Sequence, residues 1–121
     1  MSESISDSDK AVLSEIEENT AVAYEAEEGI VKYTSAKTDT EHYVALVRYL
    51  MKNQYITKDD LPISAQRAQT RYLINSKPRH QDREMVRPRE VKDGIYLETN
   101  HDSSSKIRYS ARFIEDFVLG E

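Results

Sequence analysis

Cysteine is absent from this chain of 121 residues, which excludes a disulfide framework and any site built on thiolate ligands. Such a composition suits a reducing compartment. No apolar run approaches the roughly 18 residues of a membrane-spanning helix. The stretch from Met1 to Asp7 is acidic where a secretory leader would be basic. These absences predict a soluble, cytoplasmic protein with no membrane contact. Internal repeats are missing too, and the length suits one core that is large enough to fold without staples.

What the chain does carry is charge, and it is unevenly placed. The formal net charge is -5, yet residues 1–40 hold ten acids against three bases, while residues 65–112 hold eleven bases against six acids. An overall negative charge argues against a nucleic-acid partner only if it is evenly spread. Here an acidic arm joins a basic module, which leaves two readings: a nucleic-acid surface in the second, or charge runs that are simply solvated faces.

Asp7, Ser8 or Asp9 is suited to cap a first helix. Val12, Leu13, Ile16, Thr20, Ala23 and Glu27 then recur at helical spacing up to a stop at Gly29. Its stripe is weakly apolar, so it packs loosely, dimerises or stands as an acidic appendage. Ile30, Val31 and Tyr33 make a short extended patch. Thr38 and Glu41 form a capping-box pair before a helix with the broad apolar face Tyr43, Val44, Val47, Leu50 and Met51. Thr57 with Asp60 repeats the cap more weakly, and Ile63 to Ala68 suggests one more helical turn. Residues 70–75 are β-branched and aromatic enough for a strand. Ser76 to Glu90, with two prolines and no stripe, reads as a basic loop. Gly94 to Thr99 alternates as a strand, a turn follows, and Ser103 to Ser105 cap a final helix with Ile107, Ala111, Ile114, Phe117 and Val118 inward. The expected class is α+β: a helical domain over residues 38–121 with a short β-sheet and a C-terminal helix, preceded by an acidic helix or arm over residues 1–37.

The strand, turn and helix from Gly94 to Val118 concentrate the polar signal. Thr99, Asn100, His101, Asp102 and Ser103 sit at the turn, and Lys106, Arg108 and Arg112 follow on the helix. A helix N-terminus favours a phosphate, Arg108 and Arg112 share a face, and an Asn amide both donates to and accepts from adenine. The plainer reading is that Asn, Asp and Ser are ordinary helix-cap residues.

The order of four stretches favours the first reading. Tyr43-Val44-Ala45-Leu46-Val47-Arg48-Tyr49-Leu50 followed by Tyr55-Ile56, then Thr70-Arg71-Tyr72-Leu73-Ile74, then Arg87-Pro88-Arg89-Glu90-Val91, then Gly94-Ile95-Tyr96-Leu97-Glu98-Thr99-Asn100 occur in turn. In this order the segment 43–120 resembles the C-terminal DNA-binding domain of SeqA, the negative modulator of replication initiation, which recognises hemimethylated GATC sites. The resemblance implies a double-stranded DNA-binding protein selective for sequence or base modification, with Thr99 and Asn100 at bases and Thr70 and Arg71 at the backbone or groove. The candidate DNA-binding set is Thr70, Arg71, Arg87, Arg89, Thr99, Asn100, His101, Ser103, Lys106 and Arg108.

A catalytic reading would need His42, His80 and His101 with Asp93 and Glu98. Glu98 is followed by Thr99-Asn100 rather than the acid-x-Lys order of metal nucleases, and no His pair has ligand spacing on one element. No catalytic residue, metal or cofactor is therefore expected. His80 reads as a solvated or phosphate-contacting side chain and His42 as a surface one. The rival to DNA binding is a small non-catalytic interaction or regulatory module, of the phage or defence accessory type, that engages a protein partner or a second copy through residues 8–28.

Overall fold

The computed structural model describes residues 6–65 and 68–120, with side chains for all of these except 65 and 68–70. Helix α1 spans Asp7–Thr20, and its N-cap is Ser6, whose hydroxyl accepts from the Asp9 N–H at 3.1 Å. It stops nine residues before Gly29. Thr20 turns its hydroxyl back onto the Ile16 carbonyl at 2.6 Å, Ala21 enters the left-handed region at φ 59°, and its N–H closes on the Glu17 carbonyl. Such a left-handed residue is a common way to end a helix. The β-branched and aromatic residues that follow prefer a strand. Val22–Glu25 (β1) pairs antiparallel with Ile30–Tyr33 (β2), and Gly29 serves the hairpin turn at φ 67°. The expected helix through Ala23 and Glu27 is thus replaced by a hairpin, while the extended patch at Ile30 to Tyr33 is present.

Helix α2, Asp39–Lys52, carries the expected capping box: Thr38 Oγ1 accepts from the Glu41 N–H, and Glu41 accepts from the Thr38 N–H. A short 3₁₀ turn at Lys58–Asp60 follows, with Asp60 accepting from the Thr57 N–H at 2.9 Å. Ile63–Ala65 is a strand, β3, rather than the expected helical turn, and the part of that turn at residues 66 and 67 lies outside the described residues. β3 pairs with β4, Ala68–Asn75, which matches the strand expected at 70–75.

The sheet is completed by β5, Pro88–Lys92, and β6, Ile95–Glu98, in the antiparallel order β3-β4-β6-β5. The basic loop therefore ends at Arg87 instead of Glu90. Pro88 is compatible with a strand because β5 is an edge, where a missing N–H interrupts nothing. Asp93 and Gly94, the latter at φ 75°, turn β5 into β6, and the Gly94 N–H donates to Glu90 at 3.0 Å. Helix α3, Ser103–Phe113, runs on into a wider π-helical turn at Ile114–Val118.

One apolar cluster joins all of this. Tyr43, Leu46, Leu50 and Met51 of α2 meet Leu73, Ile74, Ile95 and Leu97 of the sheet and Phe113 and Ile114 of the last helix. Leu13 and Ile16 of α1, Val22 and Val31 belong to the same cluster, so the acidic helix shares the core that carries the sheet. Full burial of a side chain such as Ile16 contributes about 2 kcal/mol by area alone. His42, expected at the surface, is also inside, at 1% exposed. Its ring stacks on Tyr33 at 4.7 Å, with Nδ1 at 2.8 Å from the Thr38 carbonyl and Nε2 at 2.8 Å from the Ser35 hydroxyl. A carbonyl only accepts, so Nδ1 is the donor and Nε2 accepts from Ser35. His42 thereby ties the hairpin to the start of α2. Among the described residues no helix is long and apolar enough to cross a membrane.

Candidate nucleic-acid interface

The described β4–β6 pairing covers Ile74 with Leu97 and Asn75 with Tyr96. Beyond it the Tyr72 N–H of β4 turns to a side chain, donating to His80 Nδ1 at 2.9 Å. Since Nδ1 accepts there, His80 Nε2 carries the hydrogen, which it donates to Glu98 of β6 at 3.1 Å. His80 is 5% exposed, so it bridges two strands from within and is not the solvated loop residue that the sequence suggests.

Glu98 is the hub of this arrangement. Its Oε2 also accepts from the Val86 N–H at 2.8 Å, and its Oε1 accepts from the Arg87 N–H at 2.8 Å and the Asn100 N–H at 3.3 Å. The residue is 3% exposed. Burial on its own would push the carboxyl pKa up, but the hydrogen bonds from Arg87, Val86, Asn100 and His80 outweigh it and hold the pKa below 4.5. One charged side chain thus fixes both the loop before β5 and the turn after β6. The loop itself, residues 76–87, is compact: Asn75 Nδ2 donates to the Arg79 carbonyl, the Met85 N–H to the Pro78 carbonyl, and Met85 is buried.

Beside this hub lies a polar cleft of about 330 Å³. Six of the ten candidate residues line it: Arg87, Arg89, Thr99, Asn100, His101 and Lys106. They come from four segments that follow one another along the chain: the end of the basic loop (Arg87), β5 (Arg89), the turn after β6 (Thr99, Asn100 and His101) and α3 (Lys106). Arg87, Arg89 and Asn100 are exposed. Lys106 is 9% exposed, and its Nζ donates to Thr40 Oγ1, another residue of the cleft lining, at 2.8 Å. An ammonium has three N–H donors, so Thr40 leaves two others. Thr99 is 5% exposed; both its hydroxyl, at 2.8 Å, and its N–H, at 3.0 Å, donate to the Arg87 carbonyl. It acts as a strut for Arg87, and of the Thr-Asn pair only Asn100 faces solvent.

His101 packs edge-on to Tyr109 at 5.0 Å and to Tyr43 at 6.5 Å. Its pKa lies below 6.5, first because it is partly desolvated and then because Lys106 and Arg71 add positive charge, against the pull of Glu98 and Asp102. Arg71 is exposed and near enough to His101 to exert that effect.

The remaining candidates lie elsewhere. The side chain of Thr70 is outside the described residues. Ser103 is exposed in the first turn of α3, but the cap is Asp102, whose carboxylate accepts the Ser105 N–H at 2.8 Å. That bond, first of all, holds the Asp102 pKa below 3.8. The helix start expected to receive a phosphate therefore already holds a carboxylate. Arg108 lines a different groove, with Ile30, Tyr109 and Glu115, and its guanidinium lies 5.6 Å from the Tyr109 ring centre. Arg112 turns inward, donating to the Ser64 carbonyl at 3.2 Å and pairing with Asp116 at 3.5 Å.

Sequence reasoning missed Lys37 and Arg48. Together with Glu41 they border a second hollow of about 300 Å³ that shares Arg89 with the first, and Arg48 donates to the Glu90 carbonyl at 3.0 Å. Nothing in the linear order links them to Arg89; only the packing of α2 on β5 does. Glu98 had one visible signal, a carboxylate inside a strand of alternating apolar residues. Among the described residues, no group of three or more His, Asp and Glu side chains could hold a metal ion.

No protein-family model, curated protein or solved structure matches the chain at a significant level.

Proposed function

We propose that this protein binds double-stranded DNA through the cleft between β5, the turn after β6 and α3, in a SeqA-like manner that selects for sequence or base modification. The observation that carries the reading is the gathering of Arg87, Arg89 and Lys106 around one exposed amide, Asn100, by the β5–β6 hairpin and the start of α3. Cations at the rim suit phosphates, which fix position, and an exposed amide suits a base edge, which gives selectivity. Lys37, just before α2, and Arg48 on it add two further cations around the adjoining hollow, with Glu41 between them. The acids Glu15, Glu17 and Glu18 of α1 are exposed and would repel a phosphate backbone that approached them.

The test is a titration of random and selected duplexes, in methylated, hemimethylated and unmodified forms, over a range of salt. Affinity should fall steeply with salt, as counterion release requires. Arg71→Ala should weaken all duplexes alike. Asn100→Ala should lower selectivity by about 1 to 3 kcal/mol. Equal losses on every sequence would remove Asn100 as a reader, and salt-insensitive or absent duplex binding would remove the function. The rival reading, a protein-interaction module working through residues 8–28, predicts that the acidic face carries the activity instead.

A further inference from the structure

The Glu98 carboxylate holds the backbones of Val86, Arg87 and Asn100 at once, so three side chains of different chemistry rise from one anchored point: an isopropyl group, a guanidinium and an amide. Val86 is unusual among them. It is 60% exposed, whereas Met85 beside it is buried at 6%. A single exposed valine on a soft loop needs no explanation. This one sits on a backbone fixed by a buried charge, directly before a cleft arginine, with its N–H bonded to the same carboxylate as that of Asn100.

We propose that Val86 is a specificity-determining residue, which packs against the 5-methyl group of a thymine beside the adenine that Asn100 reads. The inference rests on the duplex-DNA reading above. In the major groove adenine offers N7 and its N6 amino group to an amide, and thymine offers O4 and a methyl group that apolar side chains contact. Arg87, the residue after the valine, lines the cleft with Arg89, and that positive charge suits a phosphate-lined groove and opposes a purely apolar partner.

Removing that methyl group from the DNA tests the idea without perturbing the protein. Duplexes retained from a random pool are resynthesised with uracil in place of every thymine and titrated against wild type and Val86→Ala. Wild type should bind the uracil form about fourfold more weakly, the equivalent of one buried methyl group. Val86→Ala should bind both forms equally, near the affinity of wild type for uracil DNA, with an unchanged melting transition. The same thymine-to-uracil ratio in both proteins, or no ratio in wild type, overturns the role of Val86 and leaves DNA binding standing. Failure of wild type to bind any duplex overturns both.

Discussion

The acidic and basic ends of this molecule are held together by different physics. The α1 end is fixed mainly by apolar burial: Leu13, Ile16, Val22 and Val31 sink into the common core, with the Tyr33–His42 stack tying the hairpin to α2 and the exposed Glu15 accepting from the Tyr49 hydroxyl at 3.3 Å. The cleft end has little apolar matter to bury, since the loop before β5 contributes only Met85. There one buried carboxylate, Glu98, gathers four donors and sets the loop, the strand and the turn relative to each other. A surface that must stay charged and wet cannot be anchored from above, so it is anchored from below by polar bonds. Stability and function should then separate between the two ends.

Glu98→Ala is the strongest way to break that separation. It leaves the Val86, Arg87 and Asn100 N–H groups and His80 without their acceptor, and unpaired buried donors carry large penalties. A loss of about 3 to 5 kcal/mol in denaturant unfolding is expected, with DNA affinity lost even at temperatures where the variant remains folded. Ile16→Ala is its counterpart. It should cost about 3 kcal/mol by leaving a cavity, yet the folded protein should bind duplex as wild type does. If Ile16→Ala reduced binding as much as Glu98→Ala at matched folded fraction, the two ends would not be independent.

Acid sharpens the contrast with a smaller effect. The Glu98 pKa is lower in the folded state than its ordinary 4.5, so the unfolded chain takes up the proton first. Its contribution is present above pH 4.5 and is lost as pH falls through the folded value. His101 acts in the same sense higher up: its folded pKa is below 6.5, so stability begins to fall as pH drops under that value. Protection of the Val86, Arg87 and Asn100 amides against exchange, measured relative to the unfolded chain at the same pH, should therefore fall in acid before that of α1 does, and Glu98→Gln should abolish the lower of the two steps.

The sequence displayed the parts of this fold that local chemistry decides. The Thr38–Glu41 cap, the apolar face of α2, the strand at Thr70 to Asn75 and the α+β class follow from spacing and side-chain type. The end of α1 did not, because the hydrophobic stripe runs on past Thr20 and only pairing with Ile30 to Tyr33 draws Val22 to Glu25 into a hairpin. Pro88 hid β5, since a proline argues against a strand unless the strand is known to be an edge. The site was legible as a list and not as a shape. Arg87, Arg89, Asn100 and Lys106 were visible as polar residues in order, whereas the inward turn of Arg112 and the departure of Arg108 to another groove depend on how α3 rolls against the sheet. His80 and His42 were misplaced for one reason: a histidine bonded on both nitrogens is buried, and sequence shows neither partner.

If duplex DNA seats on the cleft, as proposed, it leaves the acidic end untouched. Backbone amide NMR shifts followed during titration with a short duplex test it directly. Duplex seated on the cleft should shift the amides of Val86, Arg87, Arg89 and residues 99–106, extending to Lys37 and Arg48, with α1 and the β1–β2 hairpin unmoved; shifts confined to α1 and that hairpin would show that the duplex sits elsewhere.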